Sequence, residues 1–294
     1  MDQAEKLRKI MKSKGQVVEE IALNEKRAKV VSISSGKGGV GKTNFAINFS
    51  ISLKRLGYRV VIIDADIGLG NVEILTGVSL KNTISDVVFA NKSIVEIMGD
   101  GPEGIKIISG GSGLKELALL KDENLPKLIQ EIEKLQSLVD YIIIDTGAGI
   151  SPVVIDFIMA SNEVVVVSTP DPTSIMDSYT LMKSLVSTGF TGRINIVSNL
   201  VNNRNEGKEV FDKLDNASKN FLRVQTNYLG YIERNDLVNY AVRNQTPFMV
   251  SHPNHSISKR INIMTMGYLN MEDKSKNIEN TSFGKRLLDI FKKR

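Results

Sequence analysis

The sequence predicts an α/β fold: a doubly wound, mostly parallel sheet with helices on both faces. Three observations carry that expectation. Short apolar runs alternate with stretches of helical periodicity along most of the chain. Several runs are apolar at consecutive positions, as strands covered on both faces require. Between the first run and the first helical stretch lies Gly36-Lys37-Gly38-Gly39-Val40-Gly41-Lys42-Thr43, a glycine-rich pattern whose backbone N–H groups can cradle phosphates.

The elements follow in order. Residues 1–28 stand apart. Asp2 can cap a short helix to Met11, with Leu7, Ile10 and Met11 as its narrow apolar stripe, and Lys12-Ser13-Lys14-Gly15 breaks it. Residues 16–28 are charged and read as a linker or a loose helix. Lys29–Ile33 is a strand, followed by the glycine loop and a helix over Phe45–Leu56. Further strands are expected at Val60–Ile63, Ile105–Ile108, Tyr141–Ile144, Val164–Val167, Ile194–Val197 and Tyr228–Tyr231. Helices are expected near Leu125–Leu138, Ser174–Ser187, Lys208–Phe221 and Asn254–Met271. Glu272–Thr281 is a polar linker, and Ser282–Arg294 forms a last separate element. The organisation is therefore an N-terminal segment (1–28), one α/β domain (29–271) and a C-terminal linker and helix (272–294).

Composition narrows the chemistry. The chain has no cysteine, which excludes disulfides, thiolate metal sites and iron–sulfur clusters. His252 and His255 flank Pro253-Asn254 with no acidic neighbours, a polar loop and not a metal pair. No apolar run approaches the roughly 18 residues needed to span a bilayer, and the charged N-terminus is unlike a signal peptide. A net charge of +5 allows an anionic partner without demanding one.

Phosphate-transfer chemistry needs a phosphate cradle, a metal, a positioned water and positive charge on the transferred group. Lys42 is expected against the β- and γ-phosphates, and the Thr43 hydroxyl on Mg²⁺. The strand Tyr141–Ile144 delivers Asp145 to its carboxyl end, where ligands bind in open α/β sheets. Asp64 and Asp66, one residue apart at the end of the Val60–Ile63 strand, lie where an attacking water would approach. One can serve the metal and the other the nucleophile.

Lys37 is not needed for a plain phosphate loop. With it, Lys37-Gly38-Gly39-Val40-Gly41-Lys42-Thr43 resembles the deviant Walker A loop of the MinD/ParA ATPases, a P-loop NTPase family. The resemblance covers residues 29 to about 270 and implies an ATPase using ATP and Mg²⁺. It makes Gly36 through Thr43, with Asn44, the nucleotide cradle. It makes Lys37 a lysine that reaches across a homodimer to the partner's nucleotide. Asp64-Ala65-Asp66-Ile67-Gly68-Leu69-Gly70-Asn71 is similar to the family's switch I, which implies that Asp66 orients the water and Asp64 lies near the metal with Thr43 and Asp145. Asp145-Thr146-Gly147-Ala148-Gly149 is similar to switch II. Pro170–Ser174 falls where the family borders its dimer face. Asn199 and Glu233 fall where the family meets the base.

Both chain ends add to this. At about 100° per residue, Phe283, Leu287, Leu288, Ile290 and Phe291 share one arc, with Lys285, Arg286, Lys292 and Lys293 opposite. A basic amphipathic helix of this kind suits an anionic membrane surface. A helix docked on the protein's own surface is the alternative. The polar linker, and the membrane-targeting helices of MinD-like proteins, favour the membrane. Asp2-Gln3-Ala4-Glu5-Lys6-Leu7-Arg8 resembles the N-terminal motif of the flagellar FlhG-type members of the family. That resemblance implies that Asp2, Gln3, Ala4, Leu7 and Arg8 contact the GTPase FlhF and stimulate its GTP hydrolysis. It further implies control of flagellar number and placement through flagellar basal-body components, by a cytoplasmic protein held reversibly at the inner face of the cell membrane. A division-site MinD or a DNA-partitioning ParA is the alternative within the family.

Overall fold

A computed structural model describes residues 27–66, 70–111, 125–272 and 281–291. The N-terminal set Asp2, Gln3, Ala4, Leu7 and Arg8 lies outside the described residues, as do residues 67–69.

The elements run β1 (Lys29–Ser34), α1 (Lys42–Arg55), β2 (Val60–Ala65), α2 (Asn71–Thr76), α3 (Ile84–Phe89), α4 (Ile94–Ile97), β3 (Gly99–Asp100), β4 (Lys106–Ser109), α5 (Leu125–Leu138), β5 (Tyr141–Thr146) and α6 (Pro152–Ala160). They continue with β6 (Glu163–Ser168), α7 (Pro172–Ser187), β7 (Arg193–Val201), α8 (Arg204–Ala217), β8 (Asn227–Glu233), α9 (Asp236–Arg243), α10 (Phe248–Ser251), α11 (Ser256–Glu272) and α12 (Phe283–Phe291). All seven expected strands are present. Among the described residues they form one sheet of order β3-β4-β2-β5-β1-β6-β7-β8, antiparallel only at β3–β4.

Strand alternation splits the apolar runs between two faces. Val31, Ile33, Ile62 and Ile143 bury against α1 and α11, where Phe45 stacks on Phe49 at 5.4 Å and Tyr268 meets Phe49 edge-on at 5.4 Å. Val30, Val61, Ile63, Ile142 and Ile144 face the other way, toward α3 to α6 and α12. Carboxyl ends of the strands therefore converge along one rim, and β2 and β5 are in register so that Asp64 lies opposite Asp145.

Several helices escaped the sequence reading. α6 is apolar nearly all round, so it has no stripe to detect; Ser151 capping Val154 N–H and Pro152 in the first turn were its only signals. α9 is amphipathic but only 8 residues long, and the Asn235 cap on Leu237 N–H marks its start. β3 is two residues long and has no period at all.

The C-terminal helix departs from the expectation of a separate element. α12 is docked on α5 and α6. Phe283 and Leu287 are 1% and 2% exposed in the core on that face, with Leu288 and Ile290 packed against it. Gln136 Oε1 accepts the Phe283 N–H at 3.0 Å, and the Ser282 hydroxyl donates to Glu133 at 2.9 Å. A Cβ at Gly284 would stand 3.2 Å from both Ile129 and Glu133, so the absence of a side chain there sets how closely the helix approaches. The side chain of Phe291 lies outside the described set. Periodicity gave the arc correctly, but it does not say which apolar surface the arc meets. Among the described residues no helix is long and apolar enough to cross a membrane.

Candidate nucleotide site

The loop between β1 and α1 is shaped by its glycines at two points. Gly36 packs on the start of α7, where a Cβ would lie 2.1 Å from the Asp177 carbonyl carbon. Gly41 has φ +86° and faces Asn199, whose Nδ2 would be 2.4 Å from a Cβ. Lys42 opens α1 and is 7% exposed; its Nζ donates to Asp145 Oδ1 at 2.9 Å. The second Asp145 oxygen is buried without a hydrogen-bond partner. Burial pushes the Asp145 carboxyl up, against the pull of Lys42 and Thr43. An orphaned carboxylate oxygen beside a phosphate loop and the Thr43 hydroxyl is what a hard cation requires, so these residues fit Mg²⁺.

Asp64 is 2% exposed, and burial pushes its carboxyl up to about 7. Both of its oxygens accept backbone N–H groups, from Asp66 at 3.1 Å and from Val72 at 3.0 Å. Beyond lying next to Asp145, Asp64 thus holds the backbone at both Asp66 and Val72. Asp66 is half-buried. Its Oδ2 accepts from Asn71 Nδ2 at 3.0 Å, and its Oδ1 lies over Gly147. Asn71 orients this carboxylate. Its place at the end of the Asp64–Asn71 motif was its only signal in the sequence. Gly149 N–H donates to the Ser35 carbonyl at 2.9 Å, which ties the loop after β5 to the phosphate loop.

Lys37 lies at the outer edge. Its Nζ donates to Asp171 Oδ2 at 2.7 Å and Thr173 Oγ1 at 2.8 Å, and both charged side chains are 43% exposed. The bond to Lys37 holds the Asp171 carboxyl below its ordinary range. Within one chain, Lys37 is therefore paired with the N-terminus of α7, which Asp171 caps.

A cavity of about 510 Å³ adjoins the loop, lined by Lys37 to Val40, Thr169 to Asp171, Leu200, Asn202, Glu206 and Arg234. Two residues expected near the base lie off this lining. Glu233 is exposed and does not line the cavity; the next residue, Arg234, does, because neighbouring residues of an extended chain face opposite sides. Asn199 is buried behind the loop, its Nδ2 donating to the Val40 carbonyl at 2.7 Å. Leu200 reaches the cavity through a kink in β7, with φ +59° where the β7–β8 register shifts. Nothing in the local sequence signals that kink.

Comparison with known proteins agrees with this fold. The ParA family model, described as the NUBPL iron-transfer P-loop NTPase, matches residues 26–267. The chain is 34% identical to the antiactivator FleN of Pseudomonas aeruginosa, over 78% of this chain and 82% of FleN. It is 35% identical to the flagellum site-determining protein YlxH of Helicobacter pylori, over 81% of each. Its fold is similar to that of the septum site-determining protein MinD of Pyrococcus horikoshii, solved in complex with Mg-ADP, with a TM-score of 0.67, 19% identity, and coverage of 85% of this chain and all of that one.

Proposed function

Because the chain belongs to the ParA/MinD family of P-loop NTPases, we propose that it is a Mg²⁺-dependent ATPase whose ATP-bound form dimerises and moves to the membrane, and that it regulates flagellar number and placement. The relative named a flagellum site-determining protein supports the biological setting. The observation that carries the chemistry is the convergence of Lys42, the unpartnered Asp145 oxygen and Asp66 on one rim of the sheet. The iron-transfer role in the family description has no thiolate here to support it, since the chain has no cysteine.

The backbone N–H groups of Gly36 to Thr43, with Asn44, bind the phosphates, and Lys42 neutralises the β- and γ-oxygens. Thr43 and Asp145, with Asp64 beside them, would hold Mg²⁺, which would supply positive charge to the transferred group. Asp66, steadied by Asn71, orients the attacking water. Asn199 holds the loop through the Val40 carbonyl, and the cavity bordered by Leu200 and Arg234 takes the base. Lys37 must leave Asp171 before it can reach a second copy's nucleotide. The terminal phosphate of ATP supplies the charge that makes that exchange favourable, and ADP does not, so the two nucleotides differ in their affinity for the dimer.

The membrane step requires α12 to leave its groove, because Phe283 and Leu287 cannot be buried in the protein and in lipid together. Two helices on one dimer would hold a bilayer far better than one. The N-terminal motif would stimulate an FlhF-type GTPase, and flagellar basal-body components would be further partners.

Size-exclusion chromatography of the Asp66→Ala protein with ATP and with ADP tests the core of this reading. The expected result is a dimer with ATP and a monomer with ADP, with ATP hydrolysis reduced on the order of 10²-fold or more. A monomer in both nucleotides, or wild-type hydrolysis, would refute it.

A further inference from the structure

One wall of the cavity beside the phosphate loop is built on strained backbone. Leu200 adopts φ +59°, the left-handed region that leucine seldom enters, where the β7–β8 register shifts. Such strain persists only where the surrounding structure imposes it, and it clusters at ligand sites. Here it brings both Leu200 and Asn202 to the lining. The Arg234 N–H donates to the Val201 carbonyl at 2.9 Å, which ties the segment after β8 to the same stretch. The apolar Leu200 side chain and the planar Arg234 guanidinium both suit the face of a flat aromatic ring.

A ring has edges as well as faces, and Asn202 and Glu206 supply the polar groups for one. Asn203 caps α8, its Oδ1 accepting the Glu206 N–H at 3.0 Å. Glu206 in turn reaches back to Asn202 with both oxygens. Oε2 accepts the Asn202 backbone N–H, and Oε1 accepts from Asn202 Nδ2 at 3.2 Å. The first of these bonds closes the helix start, as a capping glutamate does. The second adds nothing to the cap. What it does is fix the orientation of the Asn202 amide. A carboxylate only accepts, so the amide nitrogen must face Glu206 and the amide oxygen must turn elsewhere. No described residue donates to Asn202 Oδ1.

The lining therefore holds an acceptor without a donor, and a base that fits must bring an N–H. Adenine carries a 6-amino group, which donates. Guanine and hypoxanthine carry a 6-oxo group, which would set acceptor against acceptor. We infer that Asn202, with its amide locked by Glu206, selects a 6-aminopurine over a 6-oxopurine. Asn202 is the contacting residue and Glu206 the positioning one. This selection presupposes the nucleotide-binding reading above and goes beyond it by naming the groups that choose the base.

Isothermal titration calorimetry of the full chain with Mg²⁺ and ADP, IDP or 2′-deoxy-ADP tests it. Diphosphates keep a second copy out of the measurement, and IDP differs from ADP only in its 6-oxo group and protonated N1. ADP should bind at least about tenfold more tightly than IDP. In Asn202→Ala that ratio should fall by at least about fivefold. In Glu206→Lys the ammonium would take the amide oxygen and turn the amide nitrogen to the ring, so the ratio should tip toward IDP. A ratio of two ligands cancels any general weakening from a poorer helix cap. Equal binding of ADP and IDP by the wild type, or an unchanged ratio in Asn202→Ala, would overturn the proposal. So would a preference for ADP over 2′-deoxy-ADP that disappears in Asn202→Ala, which would make Asn202 a ribose contact. Binding of ADP without discrimination would sink this selection alone, whereas absence of ADP binding would remove the nucleotide reading as well.

Discussion

Replacing Gly284 by glutamine should shift α12 from its groove without touching its apolar arc. In the docked state a Cβ at position 284 would stand 3.2 Å from Ile129 Cγ2 and Glu133 Cγ and 3.3 Å from the Ile129 carbonyl, so the longer side chain overpacks the α5 contact. Overpacking of this kind costs about 1–3 kcal/mol. That is a sizeable part of the roughly 1.5–3 kcal/mol that burial of each of Phe283 and Leu287 contributes. Glutamine adds no charge and only a short methylene stem ending in a polar amide, and the higher helix propensity it brings acts on docked and membrane-bound helix alike. The apparent affinity for anionic vesicles in ADP should then rise about 5- to 150-fold, at one decade per 1.4 kcal/mol. Vesicle sedimentation measures that affinity, and amide hydrogen exchange across residues 283–291 reports release of the helix. Faster exchange without a gain in vesicle binding would refute the competition between groove and membrane. Unchanged exchange would refute the packing argument.

Three other predictions follow from the site. Gly41→Ala should abolish tight ATP binding, because a side chain at φ +86° meets the Asn199 amide; equilibrium binding of a fluorescent ATP analogue with wild-type affinity would contradict the loop geometry. Asp171→Asn removes the charge opposite Lys37. The pair is solvent-exposed and screened, so the ATP-dependent dimer should tighten by less than about tenfold; analytical ultracentrifugation showing a weaker dimer would mean that Asp171 supports assembly and does not restrain Lys37. A peptide of residues 1–28 should accelerate GTP hydrolysis by FlhF, and an unaltered rate would remove the assigned role of Asp2, Gln3, Ala4, Leu7 and Arg8.

Much of this protein was legible locally. Strands buried on both faces announce themselves as unbroken apolar runs, which is why β1, β2, β5 and β6 were placed within about two residues, the usual uncertainty of element ends. Lys42, Asp64, Asp66 and Asp145 could be nominated as site residues because they end such strands or follow the glycine pattern, and the carboxyl ends of parallel strands share one rim. Helices without a polar face, such as α6, leave no period to read, and a two-residue strand such as β3 leaves none either.

Sequence by itself determined the alternation of elements, hence the parallel sheet, the phosphate loop on its rim and the amphipathic arc at the C-terminus. These follow from the order of apolar and polar residues over a few turns of chain. Tertiary structure alone decided which distant groups meet. It set Lys37 against Asp171, put Asn199 under the loop, brought Arg234 and not Glu233 to the lining of the adjoining cavity, and laid α12 on α5. The physical reason is that a side chain's periodicity fixes the face it occupies, whereas its partner depends on how strands far apart in sequence pair and how closely their helices pack.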